Sequence, residues 1–462
     1  MLNITADSRK VKKGDIFVAL RGISRDGHMF IKDAIKRGAK KIIAEEGSYE
    51  IPYEIVENSR DYLKKYLTVN YVPKISTMKF VGITGTNGKT TTAFLIYEIL
   101  NKLGIKAAYI GTVGFYTSKK VCSIVNGNTC PDLWDSFDFF MQAYEDGCEY
   151  IIEEVSSEGL ISDRIELYEF ETAIFTNLTQ DHLNTHKTME DYALAKQLLF
   201  KKLKKNGLAI VNSDDDYKDY FLLENNKNIT YGFKKADFKV NKYSTNNQGS
   251  TFTYIHNDKE YVVASRLLGK FSIYNLMTVI TFLDSLNVDM EKALKIISKI
   301  KAPVGRMDTV LYKNNSIIID YAHAPDSFEK IIETARDICK GNIYTVFGCT
   351  GDRDRTKRPI MMNIAVSLSK FVIVTNDDPH NEDENKIVKD MLEGNKYKNY
   401  EICLDRKKAI IKGINMLENE DILLVLGKGH EEYMIIKDRK IAFNDKKVVE
   451  EYLEKLKSNK VA

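Results

Sequence analysis

One stretch limits the fold more than any other. The apolar run Phe80-Val81-Gly82-Ile83-Thr84 leads directly into Gly85-Thr86-Asn87-Gly88-Lys89-Thr90-Thr91, and a helical pattern follows and ends at Leu103-Gly104. A strand that passes through a glycine-rich turn into a helix is the repeating unit of a layered α/β fold. The same unit is suited to phosphate. Glycines let backbone N–H groups approach the anion, the helix N-terminus favours negative charge, Lys89 can offset the outer phosphates and the Thr90 hydroxyl can ligate magnesium. The spacing departs from the strict Walker pattern by one position, because Ile83 stands where that pattern has its first glycine. The plainer reading is a glycine-rich turn with an unrelated lysine. The strand before it, the helix after it and Gly88-Lys89-Thr90-Thr91 at the junction favour phosphate.

At 462 residues the chain needs several cores. Three regions are expected, at 1–76, 77–302 and 303–462. The first mixes short apolar runs (Ile16–Leu20, Lys41–Ala44) with a helical stretch at Met29–Gly38, and closes at Tyr71-Val72-Pro73-Lys74, which reads as a linker. In the second, strands such as Thr172–Phe175 and Leu208–Val211 alternate with longer helical patterns, which predicts a mainly parallel sheet. In the third, strands at Ser316–Ile319, Ile343–Phe347, Phe371–Thr375 and Ile422–Leu426 alternate with helices near Ser327–Cys339, Pro359–Leu368 and Lys407–Leu417, the rhythm of a Rossmann-like, doubly wound domain. Each of those four strands is followed by a polar or glycine-rich loop: Asp320–His323, Gly348–Arg355, Asn376–His380 and Gly427–Glu431. Four such loops at the carboxyl edge of one sheet form the rim of a binding site.

The net charge of +3 is small, and acidic and basic residues stay interleaved, so no nucleic-acid partner is expected. Six scattered cysteines without a Cys-x-x-Cys pair read as free thiols in a reducing compartment. The N-terminus lacks the apolar core of a signal peptide and no run of 18 apolar residues occurs, so no membrane insertion is expected and the expected location is the cytoplasm.

Other residues are weaker signals by themselves. Glu154, in Glu153-Glu154-Val155-Ser156-Ser157, and His182, after Thr176-Asn177-Leu178-Thr179-Gln180-Asp181, could face magnesium beside the phosphate loop, or be a solvated strand end and a helix-start residue. Lys196 lies in the helical pattern Met189–Leu203, which has apolar residues at Tyr192, Ala195 and Leu199 and a polar opposite face, and a lysine in such a helix is ordinarily solvated. Asn275 and Arg306 would be unremarkable alone. The residues by themselves lead to an ATP-using multidomain enzyme whose second substrate meets a C-terminal α/β domain.

Taken in order, the motifs resemble those of the Mur ligase family, and within it the UDP-N-acetylmuramoyl-tripeptide synthetase (MurE) type. They are Asp7-Ser8-Arg9 with Asp26-Gly27-His28, the loop at 84–91, Glu154–Ser157, Thr176–His186, Gly305-Arg306-Met307, Asp320–Pro325, Gly351–Arg355 with Lys357-Arg358-Pro359, and Gly427–Glu431. The resemblance implies an N-terminal α/β domain for the UDP-sugar, a central P-loop ATPase domain and a C-terminal domain for the amino acid. It implies ATP and Mg2+, a UDP-MurNAc-dipeptide and an amino acid as small-molecule substrates, an acyl-phosphate intermediate and no obligate protein partner. By the same resemblance Gly85, Thr86, Asn87, Gly88, Lys89, Thr90, Thr91, Asn275, Arg306 and Asp320 hold the nucleotide. Thr90, Glu154, His182 and a carbamylated Lys196 hold magnesium, with Lys89, Glu154, His182 and Lys196 catalytic. Ser8, Thr129, Cys130, Ser156, Ser162 and Arg164 line the UDP-sugar site, and Arg353, Asp377, Asp378, Pro379, His380, Gly427 and Glu431 the amino-acid pocket.

Three departures from the family pattern bear on substrates. Cys130 replaces a threonine and Ser162 a glutamine, which leaves room for a paralogue in a specialised peptide pathway. Asp377-Asp378-Pro379-His380 stands where users of meso-diaminopimelate have Asp-Asn-Pro-Arg. A neutral histidine cannot make the arginine fork to a carboxylate, and Asp378 adds a negative charge, so lysine or ornithine is the expected amino acid. Folylpolyglutamate- and cyanophycin-type ligases share the central fold but not the Asp-Ser-Arg front. A P-loop ATPase regulator would need no amino-acid pocket.

Overall fold

The computed structural model describes residues 2–22, 26–122, 129–162, 164–179, 186–437 and 439–458. By contacts the chain forms two compact units, Met1–Tyr231 and Gly232–Ala462, each described by itself. The expected boundary at 76 falls inside the first and that at 302 inside the second.

The first unit begins with a four-stranded parallel sheet, Ile4–Thr5, Ile16–Val18, Lys41–Ala44 and Tyr53–Ile55, in that order. Tyr71–Lys74 is not the linker its proline suggested. Val72–Ile75 is a short helix with Pro73 in its first turn, where a missing N–H breaks no helical bond, and Ile75 is fully buried. The larger sheet runs Lys227–Gly232, Leu203–Asn212, Phe170–Phe175, Lys79–Thr84, Tyr150–Glu154, Ala107–Gly111, all parallel, then Gly114–Tyr116 and Val121–Cys122 antiparallel. The central strand Lys79–Thr84 is buried on both faces beyond its first residue, which its continuous apolar reading anticipated. Phe80 sits edge-on to Phe140 at 4.9 Å and against Tyr168 at 4.9 Å. Each such buried ring contributes about 1.5–3 kcal/mol.

One packing contact positions chemistry. Helix Met189–Lys201 is capped by Thr188, whose hydroxyl oxygen accepts the Asp191 N–H at 3.1 Å. It lies so close to the central strand that a Cβ on Gly82 would be 2.6 Å from Leu199 Cδ1. A side chain at 82 would push the helix away, and with it Lys196, one turn before Leu199.

In the second unit an antiparallel ribbon, Phe238–Asn246, Gly249–His256 and Lys259–Ser265, packs on helix Lys270–Ser285. The final sheet has the order Asp308–Tyr312, Asn315–Asp320, Ile422–Leu426, Ile343–Phe347, Phe371–Val374, Tyr400–Ile402. Its first strand is antiparallel and the other five are parallel. The helices between them include Pro325–Ile338, Lys357–Leu368 and Arg406–Asn415, within a few residues of the expected spans, and Glu384–Met391, which was not among those expected. Among the described residues no helix is long and apolar enough to cross a membrane, and all six cysteines are free.

Candidate active site

The first unit builds the glycine-rich loop that the sequence reads as a phosphate cradle. Strand Lys79–Thr84 ends in the loop 85–88, and helix Lys89–Leu103 begins directly after it. Gly85 (φ 144°) is packed so tightly that a Cβ there would lie 2.0 Å from Thr176 Oγ1. The segment after strand Phe170–Phe175 braces the loop: Asn177 accepts the Asn87 N–H at 3.0 Å through its side-chain oxygen, and the Thr176 hydroxyl donates to the Asn87 carbonyl at 2.7 Å. The Lys89 ammonium donates to the carbonyls of Gly85 and Thr86, both at 2.9 Å, so its charge sits inside the loop.

Glu154 overturns its reading as a solvated strand end. It is 0% exposed at the end of strand Tyr150–Glu154. One carboxylate oxygen accepts from the Thr90 hydroxyl at 2.8 Å and the Thr112 hydroxyl at 3.1 Å; the other accepts the Thr112 N–H at 2.9 Å and the Tyr109 hydroxyl. Lys196 is likewise not solvated. It is 1% exposed, donates to the Gly85 carbonyl at 2.9 Å and lies 4.4 Å from the centre of the Tyr192 ring. Thr90, Glu154, Lys89 and Lys196 are thus gathered round one loop. His182 lies outside the described residues. Its neighbour His186 is buried, 2.9 Å from the Ser157 hydroxyl.

Beside this cradle five of the six expected UDP-sugar residues cluster. Thr129 Oγ1 is 3.4 Å from Thr112 Oγ1, Ser156 caps helix Ser157–Ile161 by accepting the Gly159 N–H at 3.1 Å, and the Ser162 hydroxyl donates to the Gly159 carbonyl at 3.4 Å. Arg164 donates to the Cys130 carbonyl at 2.9 Å and is 3.4 Å from Asp132. The Cys130 thiol turns inward: it donates to the Glu154 carbonyl at 3.3 Å and accepts the Ser156 N–H at 3.2 Å, and burial pushes its pKa up to about 11. Ser8 is buried in the turn Ser8–Lys10, and Lys10 ties that turn to helix Leu133–Glu145 through Asp135 at 2.7 Å.

In the second unit the four rim loops do share one edge, because Asp320, Leu426, Phe347 and Val374 are aligned partners at the ends of parallel strands. Asp320 is buried and accepts the N–H groups of Met307 at 2.7 Å and Ala322 at 2.8 Å; burial raises its pKa against the pull of Arg306. The Arg306 guanidinium lies 5.3 Å from the Tyr321 ring centre, and its Nε has no partner among the described residues. Asn275 is buried within helix Lys270–Ser285. Of the amino-acid residues, Arg353 is exposed, whereas Asp377, Asp378 and Pro379 are buried. His380 has φ 51° and is held by its N–H to the Ile435 carbonyl at 3.2 Å.

The Asp378 charge counted against a second carboxylate is already matched. Asp378 Oδ1 accepts the Lys428 ammonium at 2.8 Å and the Ile435 N–H at 2.9 Å, and Glu431 accepts the same ammonium at 2.7 Å. Lys428 was missed by sequence reasoning although it lies between Gly427 and Glu431, which were named. Tyr109 and Thr112 were missed too; Thr112 directly follows the strand Ala107–Gly111, a position that could have flagged it, whereas Tyr109 lies in the middle of that strand and carries no such signal.

The profiles of the Mur ligase family catalytic domain, the Mur ligase middle domain and the Mur ligase glutamate ligase domain match residues 2–86, 83–283 and 305–429. The UDP-N-acetylmuramoyl-L-alanyl-D-glutamate–2,6-diaminopimelate ligase of Clostridium botulinum is 38% identical over 98% of this chain and 95% of its own length; that of Aquifex aeolicus is 39% identical over 97% and 93%. A solved structure of a ligase of the same name aligns over 99% of this chain and 95% of its own with a TM-score of 0.68 at 29% identity. With relatives of this identity matched over nearly their whole length, the chain belongs to the Mur ligase family, ATP-dependent enzymes that form an amide bond.

Proposed function

We propose that the chain joins a diamino acid to the terminal carboxylate of UDP-MurNAc-L-Ala-D-Glu, in the cytoplasm, with small molecules as its only obligate partners. The observation that carries this reading is the end-to-end similarity to ligases named for that acceptor. In this reading residues 1–76 and the cluster Thr129–Arg164 hold the UDP-sugar, 77–302 hold ATP and 303–462 hold the amino acid.

The ATP phosphates lie on the N–H groups of 85–91, and Lys89 turns from the loop carbonyls to the outer phosphates. The hydroxyl and carboxylate oxygens of Thr90 and Glu154 are hard donors that fit magnesium, with His182 and a carbamylated Lys196 completing the set. The ion, when bound, supplies positive charge beside the transferring phosphoryl group. The acceptor carboxylate attacks the γ-phosphorus and ADP leaves. The amine of the incoming amino acid then attacks the acyl carbon, loses a proton, and inorganic phosphate departs as the amide forms.

Meso-diaminopimelate is the first reading for the amino acid. Relatives are named for it, and the charge argument against it weakens once Asp378 is neutralised by Lys428. The second reading, lysine or ornithine, is favoured by His380 in place of an arginine. A kcat/KM panel decides between them. We expect meso-diaminopimelate to exceed lysine by about tenfold or more, the size of one charge-assisted contact; the reverse order would give the assignment to His380.

A further inference from the structure

The Gly427–Glu431 turn contains a residue that neither the phosphate chemistry nor the pocket described above uses. Lys428 is completely buried, yet carries three carboxylates around its ammonium: Glu431 at 2.7 Å, Asp378 at 2.8 Å and Asp377 at 3.8 Å. Burial works against its charge, but the acids outweigh it and raise its pKa. The other cation nearby, Arg406, is occupied by Asp445 at 2.7 Å and by the carbonyls of Asn376 and Leu426. Tyr321 and His430 also face the cluster. One ammonium bridges all three acids, so it both offsets the Asp378 charge and keeps the carboxylates from repelling one another.

The connections run further. Asp378, held by Lys428, also takes the Ile435 N–H at 2.9 Å. The next residues join the same hairpin strand, Tyr433–Ile436: the His380 N–H donates to Ile435, and the His380 carbonyl accepts the Lys437 N–H at 2.6 Å. The left-handed conformation of His380 is therefore fixed from both sides.

Resting on the proposed function of this pocket, we propose that Lys428 is a positioning residue for the amino-acid substrate, clasping the loop 377–380 to the turn 427–431 and fixing the Asp378 and Glu431 carboxylates that face it. Removing one partner of a buried charge cluster leaves the others uncompensated, so Lys428→Met should raise the amino-acid KM by about 30-fold or more while the ATP KM moves by less than about threefold. The double variant D378N/K428M removes an acid along with the cation, and should recover about tenfold of that loss. It carries the same test if the single variant does not fold. Equal changes in both KM values, an unchanged amino-acid KM in K428M, or no recovery in the double variant would overturn the role.

Wild-type ligation tests the proposed function separately. A wild-type enzyme that ligates normally while K428M keeps its amino-acid KM defeats only the Lys428 proposal. A readout independent of turnover is the 13C titration of Glu431. Burial already pushes that carboxyl up and Lys428 pulls it back, so K428M should raise it further. A titration that does not move rejects the contact's role whatever the substrate.

Discussion

Lys89→Ala lowers kcat for ATP-dependent ligation by on the order of 10³-fold, because phosphoryl transfer relies on positioned charge more than on covalent chemistry. Lys89 starts 2.9 Å from two loop carbonyls, Gly85 and Thr86, at the first position of helix Lys89–Leu103. Its ammonium is therefore within the cradle before nucleotide arrives, and only a side-chain rotation separates the carbonyls from the phosphates. Alanine removes both the cation and the two bonds that shape the loop. Steady-state ADP release measures the loss, and turnover near the wild-type rate would remove the phosphate-loop assignment.

Lys196→Ala produces a loss of similar order, about 10³-fold, and this variant is partly restored by added formate or acetate. The reason is the enclosure of the site. Lys196 is 1% exposed, with Gly85 on one side and the Tyr192 ring on the other, so its removal leaves a closed space rather than a surface notch. A small carboxylate can occupy that space and stand in for a carbamate, whereas a neutral amide of the same size cannot supply the charge. Rescue should decline as the acid lengthens. An alanine variant as active as its parent, or equal rescue by acetamide, would return Lys196 to a packing role.

How legible these sites were depended on the range of the interactions behind them. The cradle and the four rim loops could be read because each follows an apolar strand directly and carries glycine or charge at the turn, a purely local signature. Lys196 could not. Its spacing sets it on the same face as Tyr192, Ala195 and Leu199, yet a lysine reads as solvated by residue type, and its enclosure involves Gly82, more than a hundred residues earlier, which lets Leu199 approach the central strand. Glu154 shows the same effect: Tyr109 and Thr112 come from a neighbouring strand and the loop after it, a partnership set by sheet order. The ribbon Phe238–Ser265 was not foreseen, because its exposed face is studded with lysine and asparagine and its register is set by strand pairing. Pro73 misled in the opposite direction, since a proline in the first helical turn and one in a linker look alike in sequence. The charge argument at Asp378 weakened for want of its partner Lys428, fifty residues away.

The regulator alternative is set aside by membership of a ligase family, and the central claim is then the identity of the acceptor. The most direct test is mass analysis of the product, together with ADP released, when the protein is given ATP, Mg2+, UDP-MurNAc-L-Ala-D-Glu and a diamino acid. The account predicts a UDP-linked product heavier by one diamino-acid residue, one ADP per amide, and no sustained ADP release when either the acceptor or the amino acid is left out. ADP release that continues without the acceptor, or an unchanged acceptor mass after ATP is consumed, would contradict it.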